Sequence, residues 1–596
     1  MGIAVDKEAL KKKYLEERDK RLRADGNAQY LELKGQLAHY LEDPYTPFQE
    51  REPLTDHVTV AFIGGGFAGL VTGARIKEQG IEDVRIIEKG GDFGGTWYWN
   101  RYPGAQCDTA SFVYMPMLEE TGHMPTEKYA HQPEILAQCQ RIGNQYKLYD
   151  NALFHTEVKA LEWQADKSCW LITTNRGDAF TAQYLGMGTG PLHVPKLPGI
   201  EGIEDFKGHS FHTSRWDYEY TGGTPEGEPL EKLGDKRVGI IGTGATSVQC
   251  VPHLARACKE LYVFQRTPSS VDERNNQPTD PEWFKDMATE GWQQRWLENF
   301  TNNQTGGNAA EDLVMDGWTE LSRRVRSKIM ELPPEKRTPI NMLAAYEDSD
   351  FEKMEEIRTR AEKLVEDGET AENLKAWYRQ LCKRPCFHDE YLQAYNEPGT
   401  YLIHTDGKGV EKITENGIVV AGKEYPLDCI IYASGFEVGT EYKRRAGYDM
   451  VGRDGLKLSE YWAEGMKTKH GTHVHGFPNA FIVQPTQGAN LISNVPHNLT
   501  ESGKTIALTI KHAIENGYKE IEVTKDAEDA WIELLLTNAG GMLGSPDCTP
   551  GYYNNEGQDA GPGAKYHVGY PQGATAYFKY IKEWRESGDF DGLEFR

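Results

Sequence analysis

The sequence predicts an α/β protein built on two separate βαβ units, with a helical insertion and an extension at each end. Three observations predict it. A buried strand runs into a glycine-rich turn and then a helix at Gly64, and the same order returns at Gly242. The chain has 596 residues, more than one hydrophobic core supports, so two or more domains are expected. Residues from about 277 to 380 are rich in Glu, Lys and Arg at helical spacing and interrupt the second unit.

Taken in order, residues 1–54 are charged and helix-prone, as in Lys7 to Arg23, and end in a Pro-marked stretch. They read as an N-terminal extension packed on the outside, with no chemistry assigned. His57 to Ile63 is a strand, Ala68 to Gln79 a helix, and Val84 to Ile87 the next strand. Gly186 to Gly190, followed by three prolines, marks a first crossing between domains. The second unit has strand Arg237 to Ile241, helix Ala245 to Ala257 and strand Leu261 to Gln265. Cys429 to Ala433 is a strand leading to a second crossing at Ser434-Gly435-Phe436. Beyond it, loops rich in Gly and Pro surround one clear helix, near Asp526 to Leu536. The expected division is 55–190 and 437–540 for the first nucleotide domain, 191–436 for the second, and 541–596 for a C-terminal extension.

Composition limits the partners. A formal charge of -25 repels nucleic acid and anionic membranes, so neither is expected as a partner. An anionic ligand must then be held by local basic groups. No run approaches the ~18 apolar residues of a membrane helix. The segment Met1 to Lys13 lacks the apolar centre of a secretion signal, so the protein reads as cytoplasmic, a monomer or weak homo-oligomer. The nine cysteines are scattered, the closest couple being Cys382-x-x-x-Cys386, and read as reduced structural thiols.

Gly64-x-Gly66-x-x-Gly69 is placed to bind a dinucleotide. The first Gly makes the turn, the second admits a pyrophosphate against backbone, and the third lets helix pack on strand. Glu88, 19 residues after Gly69, ends the next strand. Its carboxylate can accept from both ribose hydroxyls and would repel a 2'-phosphate, which suits FAD. The second turn is Gly242-x-Gly244-x-x-Ser247, and its second strand ends in Gln265-Arg266-Thr267. A cation stands where NAD would require an acid. Arg266 can clamp a 2'-phosphate bidentately, so NADPH is expected.

Two further segments carry a family resemblance. One is Gly95-Thr-Trp-Tyr-Trp-Asn-Arg-Tyr-Pro-Gly-Ala-Gln-Cys-Asp108. The other is Phe206-x-Gly208-x-x-x-His212-x-x-x-Trp216-Asp217, between the two glycine turns. With both turns, they resemble the Baeyer–Villiger monooxygenases over about residues 55 to 535. The resemblance implies two Rossmann-like domains and NADPH- and oxygen-dependent conversion of ketones to esters or lactones through a flavin C4a-peroxide. It implies that Thr96, Trp97, Tyr98 and Trp99 line the flavin, with Tyr114 and Val158 nearby. Thr243, Gly244, Ala245, Thr246, Ser247, Val248 and Gln249 would hold the NADP pyrophosphate, and Arg266, Thr267 and Lys383 the 2'-phosphate. Arg384 would be the catalytic arginine, with Asp108 as its carboxylate partner. Trp531 matches a family tryptophan that steadies the nicotinamide nucleotide, and a core role is the alternative. His212 and Trp216 would couple domain motion to cofactor position, against a purely structural role for His212. The long extensions resemble the members acting on large-ring, polycyclic or steroid-like ketones. Pocket candidates are the loop Gly488 to Asn494 and the tail near Tyr552 and Tyr553. The alternatives are an N- or S-oxygenating flavin monooxygenase, or a sensor that binds FAD and NADPH without turnover. A disulfide reductase is disfavoured, because no redox Cys pair stands beside the flavin turn.

Overall fold

The computed structural model describes residues 6–307, 309–438, 442–484, 486–489, 494–537, 545, 547–559 and 561–596. Two sheets organise them. In the first, His57–Ile63 lies between Val84–Ile87 and Ala179–Met187, all parallel. Cys169–Thr174 and Val158–Gln164 continue the sheet antiparallel. Two strands from after the second unit complete it: Ala480–Ile482 pairs with Ala179–Met187, and Met450–Val451 pairs with Val158–Gln164. The second sheet is wholly parallel, in the order Thr400–His404, Glu260–Gln265, Arg237–Ile241, Cys429–Tyr432, His209–His212. Its central strands are near-continuous apolar runs, as parallel strands covered on both faces must be. The segment Phe206 to Asp217 thus supplies an edge strand of the second sheet.

Both glycine turns are forced by close packing against the crossing segments. Gly64 has φ +106°, and a Cβ there would stand 2.4 Å from the Gly188 carbonyl oxygen. Gly242 has φ +110°, and its Cβ would stand 2.4 Å from the Ala433 carbonyl oxygen. A side chain at either position would break the turn and push the crossing away.

Helices Pro281–Met287, Trp292–Gln304, Gly317–Glu331, Pro339–Leu364 and Gly368–Asn373 fill the expected insertion. The C-terminal part departs from expectation. Besides Lys525–Leu536 it carries helices Val495–Glu515 and Ala574–Ser587. Val495–Glu515 lies against helix Phe67–Glu78, so close that a Cβ on Gly503 would sit 3.3 Å from the Thr72 Cα. Its buried face includes Thr500, Thr505 and Thr509, whose hydroxyls donate to carbonyls four residues back at 2.9, 2.9 and 2.8 Å. Those internal bonds let polar residues be buried, and they break the apolar period by which such a helix is read from sequence.

Two further expectations are corrected. The N-terminal extension is not merely external: Asp43, Arg21 and Gln29 reach residues of both nucleotide units. Nor are all cysteines free thiols, since Cys382 and Cys548 form a disulfide 166 positions apart in sequence. Fold-level proximity, invisible in Cys spacing, decides that pair. Among the described residues no helix is long and apolar enough to cross a membrane.

Candidate active site

The first turn leaves backbone N–H groups open at a helix start. Gly66 precedes helix Phe67–Glu78 with no side-chain cap, so the first-turn N–H groups lack an internal acceptor. They form an anion site with the helix dipole behind them. Gly66 and Gly95 pack backbone to backbone, and a Cβ on Gly95 would stand 2.7 Å from the Gly66 Cα. Glu88 accepts from the Gly65 N–H at 2.6 Å and the Gly90 N–H at 2.7 Å, one through each carboxylate oxygen. Each oxygen keeps a lone pair for a ribose hydroxyl. Burial raises the Glu88 pKa, opposed by those two backbone donors. Val158 lies in the core that also holds Ile63 and Ile87, beneath the ends of the first two strands.

Residues 95–108 connect this turn to the second unit. Thr96–Trp99 is a short helix. The Trp97 indole N–H donates to the Tyr114 hydroxyl at 3.0 Å. Tyr98 is fully buried, and its hydroxyl donates to Asp43 at 2.5 Å and lies 2.8 Å from the Thr46 hydroxyl. The Arg215 guanidinium stacks 3.8 Å from the Trp99 ring centre. The loop ends at Asp108, whose two carboxylate oxygens accept from Arg384 Nη2 and Nη1 at 2.7 and 2.8 Å. Asp108 is buried, whereas the Arg384 side chain is one-third exposed. Burial works against the charged guanidinium, but Asp108 outweighs it and holds Arg384 charged far beyond its ordinary range.

The second turn repeats the first with different chemistry. Gly244 precedes helix Ala245–Ala257, again with no side-chain cap, and a Cβ there would meet nothing within 4 Å. Thr243 donates to the Thr267 carbonyl at 2.7 Å. Ser247 is fully buried and Val248 packs in the core, so Ser247 does the helix-packing work of the third Gly. Ala245 and Thr246 open the first turn of the helix. Gln249 faces the other way. It accepts from the Tyr102 hydroxyl at 2.9 Å and donates to the Gln106 carbonyl at 2.7 Å, locking the helix to the loop that carries Asp108. Arg266 and Lys383 stand on the same side. Burial, and then the Arg266 charge, lower the Lys383 pKa to about 8. The Glu556 carboxylate, 3.6 Å from Arg266 Nη2, offsets part of that repulsion.

Three comparisons bear on what this arrangement is. A family model described as pyridine nucleotide-disulphide oxidoreductase matches residues 61–281. Neopentalenolactone D synthase of Streptomyces avermitilis is 49% identical over 596 residues, covering 99% of this chain and 100% of that protein. A Baeyer–Villiger monooxygenase of Streptomyces coelicolor is 44% identical, covering 97% of this chain and 95% of that one. The chain belongs to the Baeyer–Villiger monooxygenases. The solved polycyclic ketone monooxygenase from the fungus Thermothelomyces thermophila superposes with a TM-score of 0.91 at 37% identity, covering 99% of both chains. As a Baeyer–Villiger monooxygenase the protein uses FAD and NADPH, and both uncapped glycine turns, Glu88 and the Arg266–Lys383 pair fit those two nucleotides.

Some expected site residues are not brought to the site. Trp531 is buried in an aromatic cluster with His470, Tyr570, Tyr577 and Tyr580, and its indole donates to the Gln487 carbonyl at 3.0 Å. Its surroundings are those of a core residue, the alternative reading. His212 is wholly buried, accepts from the Ser214 N–H at 3.1 Å and meets the Gly435 carbonyl at 3.1 Å through Nε2. Burial first, and then Arg215, lower its pKa to about 3, so it is neutral. It fastens the end of strand His209–His212 to the second crossing. Trp216 is buried beside Phe211, and its indole donates to Thr221 at 3.1 Å. Of the loop Gly488 to Asn494, residues 490–493 lie outside the described residues.

Other functional candidates carry no sequence signature. The Trp318 indole, from the helical insertion, donates to the Asp108 carbonyl at 2.9 Å while Arg384 lies 5.5 Å from its ring centre. Arg274 is buried, and burial lowers its pKa despite the nearby Asp108 charge. Neither residue sits in a motif, so only the fold reveals them.

Proposed function

We propose that this enzyme oxidises bulky, polycyclic ketones to esters or lactones, with Arg384 as the group that controls the oxygen chemistry. The bidentate Arg384–Asp108 pair carries this reading. When bound, FAD supplies the activated oxygen and NADPH the reducing hydride. The protein contributes position and field. A guanidinium stays charged at any working pH and does not readily give up a proton. Two of its N–H groups are taken by Asp108, and Nη1 also meets the Pro385 carbonyl at 3.1 Å. Among the described residues its other N–H groups meet no acceptor, which leaves them to hold the oxyanion that develops on the substrate carbonyl. Asp108 fixes the plane of the guanidinium without removing its charge, because it accepts hydrogen bonds rather than taking a proton.

Arg266, Thr267 and Lys383 are proposed to take the 2'-phosphate of NADPH, and Thr243 to Gln249 the pyrophosphate. Thr267 sits in a polar corner where Arg21 donates to its hydroxyl at 3.1 Å. The polycyclic substrate class rests on similarity to a polycyclic ketone monooxygenase over the whole chain. Tyr552 and Tyr553 of the tail stack edge to face 4.6 Å apart, in electrostatic reach of Arg384, as a wall for an apolar ring system would.

NADPH consumption measured against ketones from small rings to steroids, with ester products identified, tests the substrate class. Turnover confined to small rings would reject it.

A further inference from the structure

Glu556, in the C-terminal tail, is buried in the middle of the cations assigned to the nucleotide. Its Oε1 lies 3.5 Å from Lys196 Nζ and accepts from the Tyr30 hydroxyl at 3.3 Å. Its Oε2 lies 3.6 Å from Arg266 Nη2, within ion-pair range but short of a hydrogen bond. Among the described residues that buried oxygen has no hydrogen-bond partner, which a folded protein rarely leaves without a purpose. Lys383 borders the same tail, where a Cβ on Gly551 would stand 4.0 Å from its Cγ, and the Glu556 charge acts on it to raise its pKa.

The backbone is bent to put Glu556 there. Asn555 and Glu556 both have positive φ, 51° and 55°, which residues other than glycine rarely adopt. The tail is also fastened nearby. Cys548, eight positions before Glu556, is bonded to Cys382, which directly precedes Lys383. A tether this short keeps the carboxylate at high effective concentration beside the cations.

The charges set the consequence. Arg266, Lys196 and Lys383 bring three positive charges and Glu556 one negative charge. A phosphate monoester brings about 1.5 to 2 further negative charges. Carboxylate and phosphate must then share one set of donors, and each weakens the hold on the other.

We propose that Glu556 is a tethered counter-ion of the 2'-phosphate pocket, competing with the phosphate for Arg266, Lys196 and Lys383 and so limiting how tightly NADPH is held. This rests on the assignment of Arg266 and Lys383 to the 2'-phosphate. A nucleotide exchanged in every turnover benefits from a pocket whose cations are already partly satisfied when it leaves. Lys196, absent from both glycine fingerprints, becomes the third cation of that pocket.

The test is calorimetric titration of the FAD-loaded protein with adenosine 2',5'-bisphosphate and with 5'-AMP, which lacks the 2'-phosphate. Glu556→Gln keeps the shape and removes the charge. It is expected to tighten the bisphosphate about three- to tenfold and leave 5'-AMP within about twofold. Cys548→Ser, which cuts the tether, is expected to shift the same ratio in the same direction by a smaller factor. A ratio that is unchanged or lowered in Glu556→Gln overturns the proposal, as does an unchanged ratio in Cys548→Ser. Arg266→Ala separates the two readings. If it leaves the ratio unchanged, the 2'-phosphate assignment itself fails. If it lowers the ratio while Glu556→Gln does nothing, only the counter-ion role fails.

Discussion

Arg384 and Asp108, 276 positions apart, meet through two parallel hydrogen bonds of 2.7 and 2.8 Å. The pair joins the loop of the flavin unit to the strand edge after the helical insertion. It is buried on the carboxylate side and partly open on the guanidinium side.

Arg384→Ala is expected to lower ester formation by about 10²–10³, the usual cost of removing one preorganised oxyanion donor. FAD content, read from the flavin absorbance, stays at the wild-type level. The melting temperature falls as well, because buried Asp108 loses its partner. Ketone oxygenation near the wild-type rate would reject the catalytic role.

Asp108→Ala releases Arg384 and is expected to slow flavin reduction by NADPH. Stopped-flow traces at the flavin band check this directly. A wild-type reduction rate would mean that Arg384 is held well enough by Pro385 and Trp318 alone.

Arg266→Ala is expected to lower the preference for NADPH over NADH. The measurement is the ratio of kcat/KM for the two cofactors. The change should lie in the NADPH value, since NADH has no 2'-phosphate to lose.

Trp531→Ala is expected to cost about 3–5 kcal/mol of stability, as for a large buried aromatic side chain. The KM for NADPH should stay within about twofold. A large rise in that KM without loss of stability would restore the nucleotide role that the resemblance implies.

His212 contributes a pH dependence whose sign follows from its burial. Its pKa falls from 6.5 to about 3 in the fold, so the unfolded chain binds the proton first as pH drops. Stability is therefore lost between pH 6.5 and about 3, and the loss is complete below that range. His212→Gln is expected to flatten the stability slope by about 1.4 kcal/mol per pH unit in that window. Urea unfolding at pH 6.5 and 5.0 measures it. Equal slopes in both proteins would show that His212 takes no part.

Short-range signals were the legible ones. The strands His57–Ile63 and Arg237–Ile241 run into glycine turns, and the structure keeps their bounds and those of Val84–Ile87. Glu88 and Arg266 are readable because each sits at a set offset from a glycine turn. The Arg384–Asp108 pair was reached through the resemblance, since no local rule joins residues so far apart. Helix Val495–Glu515 was missed because its buried threonines satisfy themselves internally and hide the apolar stripe.

The sequence by itself pointed to two glycine turns at the ends of strands, to FAD and NADPH as the cofactors, and to the family. Those properties are written in backbone turns and in single charges near them, where a few neighbouring residues suffice. Only the tertiary structure placed Trp531 among His470, Tyr570 and Tyr580, bonded Cys382 to Cys548, and brought Trp318 to Asp108. It alone brought Glu556 and Lys196 to Arg266. Those relationships depend on which distant segments share a volume, and side-chain packing, not local pattern, settles that.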